Sequence, residues 1–358
     1  MSDFIIIGGG IAGLSCAATL SELGSVTLLE SESALGYHAS GRSAAMFLED
    51  FGNDVVCALN RASADHHRHA NGGVLSPRSM MLLGRQNEEH DFKPEYRGFG
   101  MKQISPDQAR DLVPILNPET CAYAAIRDDV FNLDADKSLQ SFAKRARKNG
   151  AIIKTKSPVI KIAKTKSGWD VETADQMISG SIIINAAGAW VDEIALLANI
   201  NPLGFQPLRR SMAVLAAPGG HDVSNWPFMD GVNERWYAKP DAGKLLVSPS
   251  EEHLTHPHDA WADDMVLAKG MARYEEMVTA PVTRIESSWA GLRTFAPDRT
   301  LVLGPDPADN SFIWCAGQGG YGFQTAPAAS RLIADLTNGS TCEFDKLTVA
   351  ALSPQRFG

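Results

Sequence analysis

The hydrophobic pattern of the chain opens with a block. Phe4, Ile5, Ile6 and Ile7 are all large and apolar, and the run stops at Gly8. A short continuous apolar run bounded by glycine reads as a strand buried on both faces. From Ile11 to Leu23 the pattern is helix-compatible, with Gly24 placed to end the helix. Ser25 to Leu29 returns to a strand. Two later stretches repeat the design of a strand running into small residues: "SIIINAAGAW" (181–190) and "FIWCAGQGGYGFQTAP" (312–327), the second opening a further helix. Asp136 to Asn149 reads as a helix with Lys and Arg toward its end and Gly150 as a stop. "AIIKT", "SPVIKIAKT" and "GWDVETA" read as short strands joined by tight turns. Two regions differ in character. Residues 47–136 are polar and rich in proline, and the region from 206 to about 289 carries strand-like "SMAVLAA", "RWYAKP" and "KLLVSP". The expectation is a mixed α/β (α+β) fold of interleaved parts. One discontinuous domain takes residues 1–46, 137–205 and 288–358. A second, built on an antiparallel sheet, takes 47–136 and 206–287.

The glycines in the first junction are spaced. Gly8, Gly10 and Gly13 form GxGxxG between strand and helix, and Glu30 ends the second strand about twenty residues on, as in a dinucleotide-binding fingerprint. Gly8 permits the tight turn, Gly10 lets backbone approach a pyrophosphate, and Gly13 lets helix and strand pack closely. The helix start, with Ile11 and Ala12, offers unpaired N–H groups and a positive dipole end to phosphates. Glu30, followed by Ser31, can accept hydrogen bonds from ribose hydroxyls and would repel a 2′-phosphate, which disfavours NADP. The competing interpretation is a glycine-rich turn in some other α/β protein. The fingerprint alone does not choose between FAD and NAD.

Composition narrows the partners. The chain has 358 residues, 44% hydrophobic and 21% charged, with a formal net charge of −9 and a pI near 5.5. This balance argues against nucleic acid and against an anionic membrane surface, so any bound anion needs local positive groups. No uninterrupted apolar stretch is long enough to span a bilayer. The N-terminus carries Asp3 in place of a basic segment, so no secretory signal is expected. Five scattered cysteines without a CxxC pair suit free thiols in a reducing cytoplasm.

The set GxGxxG…E, "GYHASGRSAA", "NAAGAW", "KPDAG", "SWAGLRTFAPD" and "GQGGYGFQT" resembles the FAD-dependent D-amino-acid oxidase superfamily. Within it, the chain most resembles bacterial D-amino-acid dehydrogenases of the D-arginine dehydrogenase type, over nearly its whole length and through the terminal "LSPQRF". The resemblance implies a Rossmann-like FAD-binding domain of the glutathione-reductase type, an interleaved substrate domain, tightly bound FAD and oxidation of an amine carbon. The cofactor positions it implies are Gly8, Gly10, Ile11, Ala12, Gly13, Glu30 and Ser31 in the fingerprint. Ser40, Arg42, Ser43, Ala44 and Ala45 follow in the next loop, then the backbone at Val159, and Ala187, Gly188 and Trp190. The last set is Gly319, Gly320, Tyr321, Gly322, Phe323, Gln324 and Thr325, where Gln324 and Thr325 fall near the flavin pyrimidine ring or, for Thr325, at an ordinary helix N-cap. Some relatives attach flavin through a cysteine. Cys315 reads more simply as a small buried residue ending a strand, so non-covalent FAD is expected.

Oxidising an amino acid requires a clamped carboxylate, a Cα–H facing the flavin and a neutral amine. Arg293 in "AGLRTF" is the leading clamp, because a guanidinium holds a carboxylate through two parallel hydrogen bonds. Arg210 in "LRRSMA" is a second arginine at a family position, and Tyr237 in "RWYAKP" could donate its hydroxyl. A backbone carbonyl at Gly320 could accept from the substrate amine. No residue stands out as a general base, so hydride transfer without an obligatory protein base is expected. The electron acceptor, oxygen or a quinone, is left open.

Departures from the D-arginine branch concern the side-chain pocket. That branch carries an acid shortly after "LSPR", where this chain has Met80. Its histidine after "GRSAA" is Met46 here, and a tyrosine position matches Phe51. Phe228 and Asp230, in "FMDGVNERWY", match positions lining the substrate side chain, although Asp-Gly is also a turn dipeptide. A neutral or apolar D-amino acid, or a related secondary amine, is therefore expected ahead of D-arginine. Histidines 66, 67, 69, 253, 256 and 258 form two clusters without a closed ligand set at a recognised spacing, so no metal is assigned. Two other classes stay open: an NAD-dependent dehydrogenase and a non-catalytic flavoprotein.

Overall fold

The computed structural model describes all 358 residues and arranges them around two sheets. The first has eight strands. Ser2–Ile7 lies at its centre, parallel to Val26–Leu29 on one side and to Met177–Asn185 on the other. Ile152–Lys154 and Phe312–Ala316 extend the parallel part, and Val302–Pro305 closes one edge antiparallel. The hairpin of Val159–Thr165 and Gly168–Thr173 adds to Met177–Asn185.

The opening apolar run explains itself here. Side chains alternate across a strand, so Phe4 and Ile6 enter one core with helices Ile11–Leu20, Ala135–Lys148 and Gly322–Asn338. Ile5 and Ile7 enter another with Trp169, Ile194, Phe312 and Trp314. Both faces are covered, and so every position of the run must be apolar. The helix expected over 136–149 spans Ala135–Lys148. Asp134 caps it by accepting from the Lys137 amide at 2.9 Å, and it stops at Gly150, whose φ is +90°.

The second sheet has ten strands and is antiparallel except where Phe228–Gly231 runs parallel to Leu75–Arg85. Two segments sit differently from the expected division. Ser287–Phe295 was expected with the cofactor part, yet it pairs antiparallel with Gln206–Leu215 from Val214↔Ser287 to Gln206↔Phe295, inside the second sheet. Helix Asp54–His69 was expected with the substrate part, yet Val56, Leu59 and Ala64 enter the first sheet's helical core. Its Ser63 hydroxyl accepts from the Ala328 amide at 3.1 Å, which ties it to helix Gly322–Asn338.

Two glycines of the fingerprint are fixed by close approach. Gly8 has φ +111°, and a Cβ there would lie 2.3 Å from the Ala186 carbonyl oxygen. A Cβ on Gly13 would lie 1.9 Å from the Gly8 carbonyl oxygen. Gly13→Ala must separate helix Ile11–Leu20 from the strand it springs from. Overpacking of this kind costs about 1–3 kcal/mol or more, so the variant is expected to melt several degrees below the parent in a thermal scan. An unchanged midpoint would show that helix and strand can part freely.

Candidate active site

Two adjoining cavities run across the carboxyl ends of the first sheet and between the two sheets. They measure ≈ 340 and ≈ 280 Å³. Gly10, Ser40, Arg42, Ala186, Gly188 and Gly291 line both, so the two form one elongated channel from Glu30 to Arg293.

The first cavity is built from strand ends. Glu30 follows Val26–Leu29 and is buried. Its Oε2 accepts from the Gly9 amide at 2.7 Å, and its Oε1 from the Glu32 amide at 2.8 Å and the Ser31 hydroxyl at 3.2 Å. A carboxylate has about four acceptor positions, so one is left toward the cavity. The Ile11 amide donates to the Ser40 hydroxyl at 3.0 Å. The amides of Gly10, Ala12 and Gly13 donate to no protein acceptor, and Gly10 and Ala12 line the channel. Gly8, Ser31, Val159, Ala187, Gly188 and Trp190 line this part as well. Gly13 does not. It packs behind the turn, against Gly8. The Trp190 ring lies 4.6 Å from that of His38, a residue of the "GYHASGRSAA" stretch that was not among the implied cofactor positions. Arg42 lines both cavities, but its guanidinium is committed to the wall. It donates to the carbonyls of Ala260 and Ala290, both at 2.7 Å, and pairs with Asp259.

In the second cavity the structure brings together Arg293, Arg210, Tyr237, Gly320, Met46, Phe51, Met80, Phe228 and Asp230, with Ser43, Ala44 and Ala45 on one side and Gly319 to Gln324 on another. Arg293 makes no ion pair and no hydrogen bond within the protein, in contrast to Arg210 beside it. Burial, and then the charge of Arg210, make its protonated form less favourable than that of an exposed arginine. Arg210 donates to the Glu251 carbonyl at 2.9 Å and pairs with Glu252 at 3.3 Å. Glu252 also holds Arg299 at 3.0 Å. The Tyr237 ring stacks on Phe228 at 5.3 Å, and its hydroxyl makes no protein hydrogen bond. Met80 is turned into the cavity by a register shift between Arg78 and Met80 in strand Leu75–Arg85, the usual way in which a bulge re-aims a side chain.

The glycine loop closes the cavity. Gly319 has φ +51°, and a Cβ there would lie 2.1 Å from Phe295, while one on Gly320 would meet Arg293 Nη1 at 3.4 Å. Helix Gly322–Asn338 starts here, and the amides of Gly322, Phe323 and Gln324 donate to no protein acceptor. The Gln324 side chain accepts from the Leu48 amide at 2.9 Å. Thr325 departs from both roles considered for it. The helix N-cap is Tyr321, one turn earlier. The Thr325 hydroxyl donates to the Tyr321 carbonyl at 2.9 Å, and the residue is fully buried away from the channel. Cys315 does not line it either, with its Sγ 3.5 Å from that of Cys16.

The model of one family, "DAO: FAD dependent oxidoreductase", matches residues 3–336. The chain belongs to the FAD-dependent oxidoreductases of the DAO family. Human mitochondrial dimethylglycine dehydrogenase is 24% identical over 392 residues, a match that covers 100% of this chain and 44% of that protein. The chain thus spans less than half the length of that relative. The fold is that of solved members. Glycine oxidase from Geobacillus kaustophilus superposes with a TM-score of 0.82 at 21% identity, covering 98% of each chain. L-Proline dehydrogenase from P. horikoshii also gives 0.82 at 21% identity, covering 99% of this chain and 97% of that one.

The channel of this DAO-family protein fits FAD on its own geometry. It is elongated and lined by small residues. It places the unpartnered amides of Gly10 and Ala12 over the fingerprint turn and three more at the start of Gly322–Asn338. Donors of this kind suit a pyrophosphate at one end and a polar ring edge at the other.

Proposed function

We propose that this protein catalyses the FAD-dependent oxidation of the Cα–N bond of a D-amino acid with a neutral side chain. The observation that carries the reading is Arg293: a half-buried guanidinium without a protein partner, set in the wall of the channel between an apolar pocket and the glycine loop. A partly desolvated charge without a partner is unfavourable, and a substrate carboxylate meets it with two parallel hydrogen bonds. Tyr237 has a free hydroxyl to add a third. Arg210, already shared with the Glu251 carbonyl and Glu252, contributes field more than a hand. The Gly320 carbonyl accepts from the substrate amine, and Met46, Phe51, Met80 and Phe228 exclude water around the side chain.

When bound, FAD would supply the two-electron oxidation, as acceptor for the hydride from Cα. The chain's residues bind and orient. The amine gives its proton to water, the imino acid leaves the pocket, and water hydrolyses it to a keto acid and ammonia. In this reading the first sheet with its helices is the cofactor domain and the second sheet the substrate domain. Five free thiols support a reducing, cytoplasmic setting, and no helix is long and apolar enough to cross a membrane. A second reading, oxidation of a secondary amine, is favoured by the likeness to L-proline dehydrogenase, whose named substrate is one.

Anaerobic mixing of the yellow protein with D-amino acids, their L-enantiomers, sarcosine and proline, followed at the flavin band, decides. Bleaching led by the D-series supports the first reading. Bleaching led by sarcosine or proline replaces it with the second, and no bleaching by any amine removes both.

A further inference from the structure

Three acids line the substrate cavity: Asp230, Glu234 and Glu252. Glu252 is engaged by two arginines. Asp230 differs from both others. It is 7% exposed, and its Oδ1 is fully buried without a hydrogen-bond partner. Its position is set by the sheet. Asp230 pairs with Tyr237 on one neighbouring strand, and Phe228, two residues earlier on the same face, pairs with Met80 on the other. The carboxyl therefore stands in a wall of Phe228, Met80 and Tyr237. Leucine or phenylalanine would complete that wall at no polar cost, whereas an unpartnered buried polar group costs about 1–3 kcal/mol. A ligand that brings a partner removes the cost.

We infer that Asp230 is the recognition group for a hydroxyl on the substrate side chain, and that the substrate is a D-amino acid whose short, uncharged side chain ends in that hydroxyl. The inference rests on the reading of Arg293 as the carboxylate clamp and goes on to name the substrate class. A hydroxyl both donates and accepts, so it satisfies the carboxyl in either protonation state. A cationic side chain is the poorer partner. A cation needs the carboxylate form of Asp230, whereas a hydroxyl is satisfied by the neutral carboxyl as well. Burial first, then the charges of Glu234 and Glu95, drive Asp230 toward its neutral form, with Arg210 opposing. A neutral carboxyl suits a neutral partner.

The test uses three D-amino acids of equal side-chain length with the holoenzyme: D-norvaline, ending in methyl, D-homoserine, ending in hydroxyl, and D-2,4-diaminobutyrate, ending in ammonium. Anaerobic flavin reduction is followed for the parent, Asp230→Asn and Asp230→Leu. D-Homoserine is expected to exceed both others by about tenfold or more in the parent, since a site built to hydrogen-bond a hydroxyl rejects the analogue lacking it. Asp230→Asn keeps that order, and Asp230→Leu reverses it in favour of D-norvaline. Equal use of D-norvaline and D-homoserine, a lead for D-2,4-diaminobutyrate, or a preference that survives Asp230→Leu would each overturn the inference. A binding measurement separates it from the oxidation reading. In thermal shift, 4-hydroxybutyrate is expected to stabilise the parent more than pentanoate does, and Asp230→Leu to abolish the difference. That result without bleaching by any amine would keep the hydroxyl subsite and remove the amine chemistry. No difference between the two carboxylates would overturn the subsite.

Discussion

Arg293→Met is expected to lower kcat/KM for the best amino acid by about 10²–10³-fold while leaving the protein as stable as the parent or more so. The loss follows from truncating one side of a buried, hydrogen-bonded charge pair, worth about 3–4 kcal/mol at 1.4 kcal/mol per decade. The stability result is the sharper part. Arg293 bonds nothing in the protein, and burial together with Arg210 makes its charge unfavourable. Its removal orphans no carboxylate and relieves a repulsion, as expected where a binding site trades stability for function. Arg210→Met should behave in the opposite sense. It leaves Glu252 with Arg299 alone and the Glu251 carbonyl without its donor, so it should lower the melting temperature. Arg293→Lys should recover only a minor part of the rate, because an ammonium is a point charge and cannot hold both carboxylate oxygens in a plane. Steady-state kinetics and thermal scans on the three variants check the pattern. An Arg293→Met protein that is unstable yet retains kcat/KM would make Arg293 a structural residue and take the carboxylate clamp away.

The parts of this site that are legible in sequence are those with local causes. A parallel strand covered on both faces must be apolar throughout, and a helix springing directly from it needs Gly13 where its backbone meets the Gly8 carbonyl. Both requirements lie within one short segment, so the channel's first half can be read in order. The second half depends on pairing between distant segments. Nothing in "SWAGLRTF" says that it lies along Gln206–Leu215, and that pairing is what brings Arg293 beside Arg210. Glu252 sits in a loop without periodicity, and its place between Arg210 and Arg299 has no sequence signal. Thr325 looks like a cap because threonine caps helices. The helix has already begun at Gly322, and the hydroxyl turns back to the carbonyl four residues earlier, the alternative open to a threonine inside a helix. "HHRH" looks like a ligand cluster until the helix distributes it. His66 stacks on Phe142, His67 turns into the core, and His69 faces solvent beside Asp65.

Of these histidines, His67 carries the largest expected pH effect. It is fully buried, packs its ring 5.1 Å from that of Phe47, and hydrogen-bonds through Nε2 to the Gln324 carbonyl at 2.9 Å. Its Nδ1 has no partner. Burial, the main cause, lowers its pKa from 6.5 to about 4, against the hydrogen bond to Gln324. Above pH 6.5 the ring is neutral in folded and unfolded chains alike and adds no pH dependence. Between pH 6.5 and about 4 the unfolded chain takes up a proton that the folded chain refuses, so stability falls. At 1.36 kcal/mol per unit the loss reaches about 3 kcal/mol near pH 4 and is constant below. In His67→Gln the carboxamide can still donate to the Gln324 carbonyl but cannot titrate. The stability of the variant relative to the parent is therefore expected to rise on acidification through this window, by up to about 3 kcal/mol. Denaturant titrations of both proteins at intervals from pH 7 to pH 4 measure it, and parallel curves would show that His67 is not held neutral. Function follows from the same contact. The His67 bond fixes the first turn of Gly322–Asn338, whose free amides face the channel, so acid that forces a proton onto His67 loosens one wall of the cofactor site. Flavin release on acidification should accordingly begin at a lower pH in His67→Gln than in the parent.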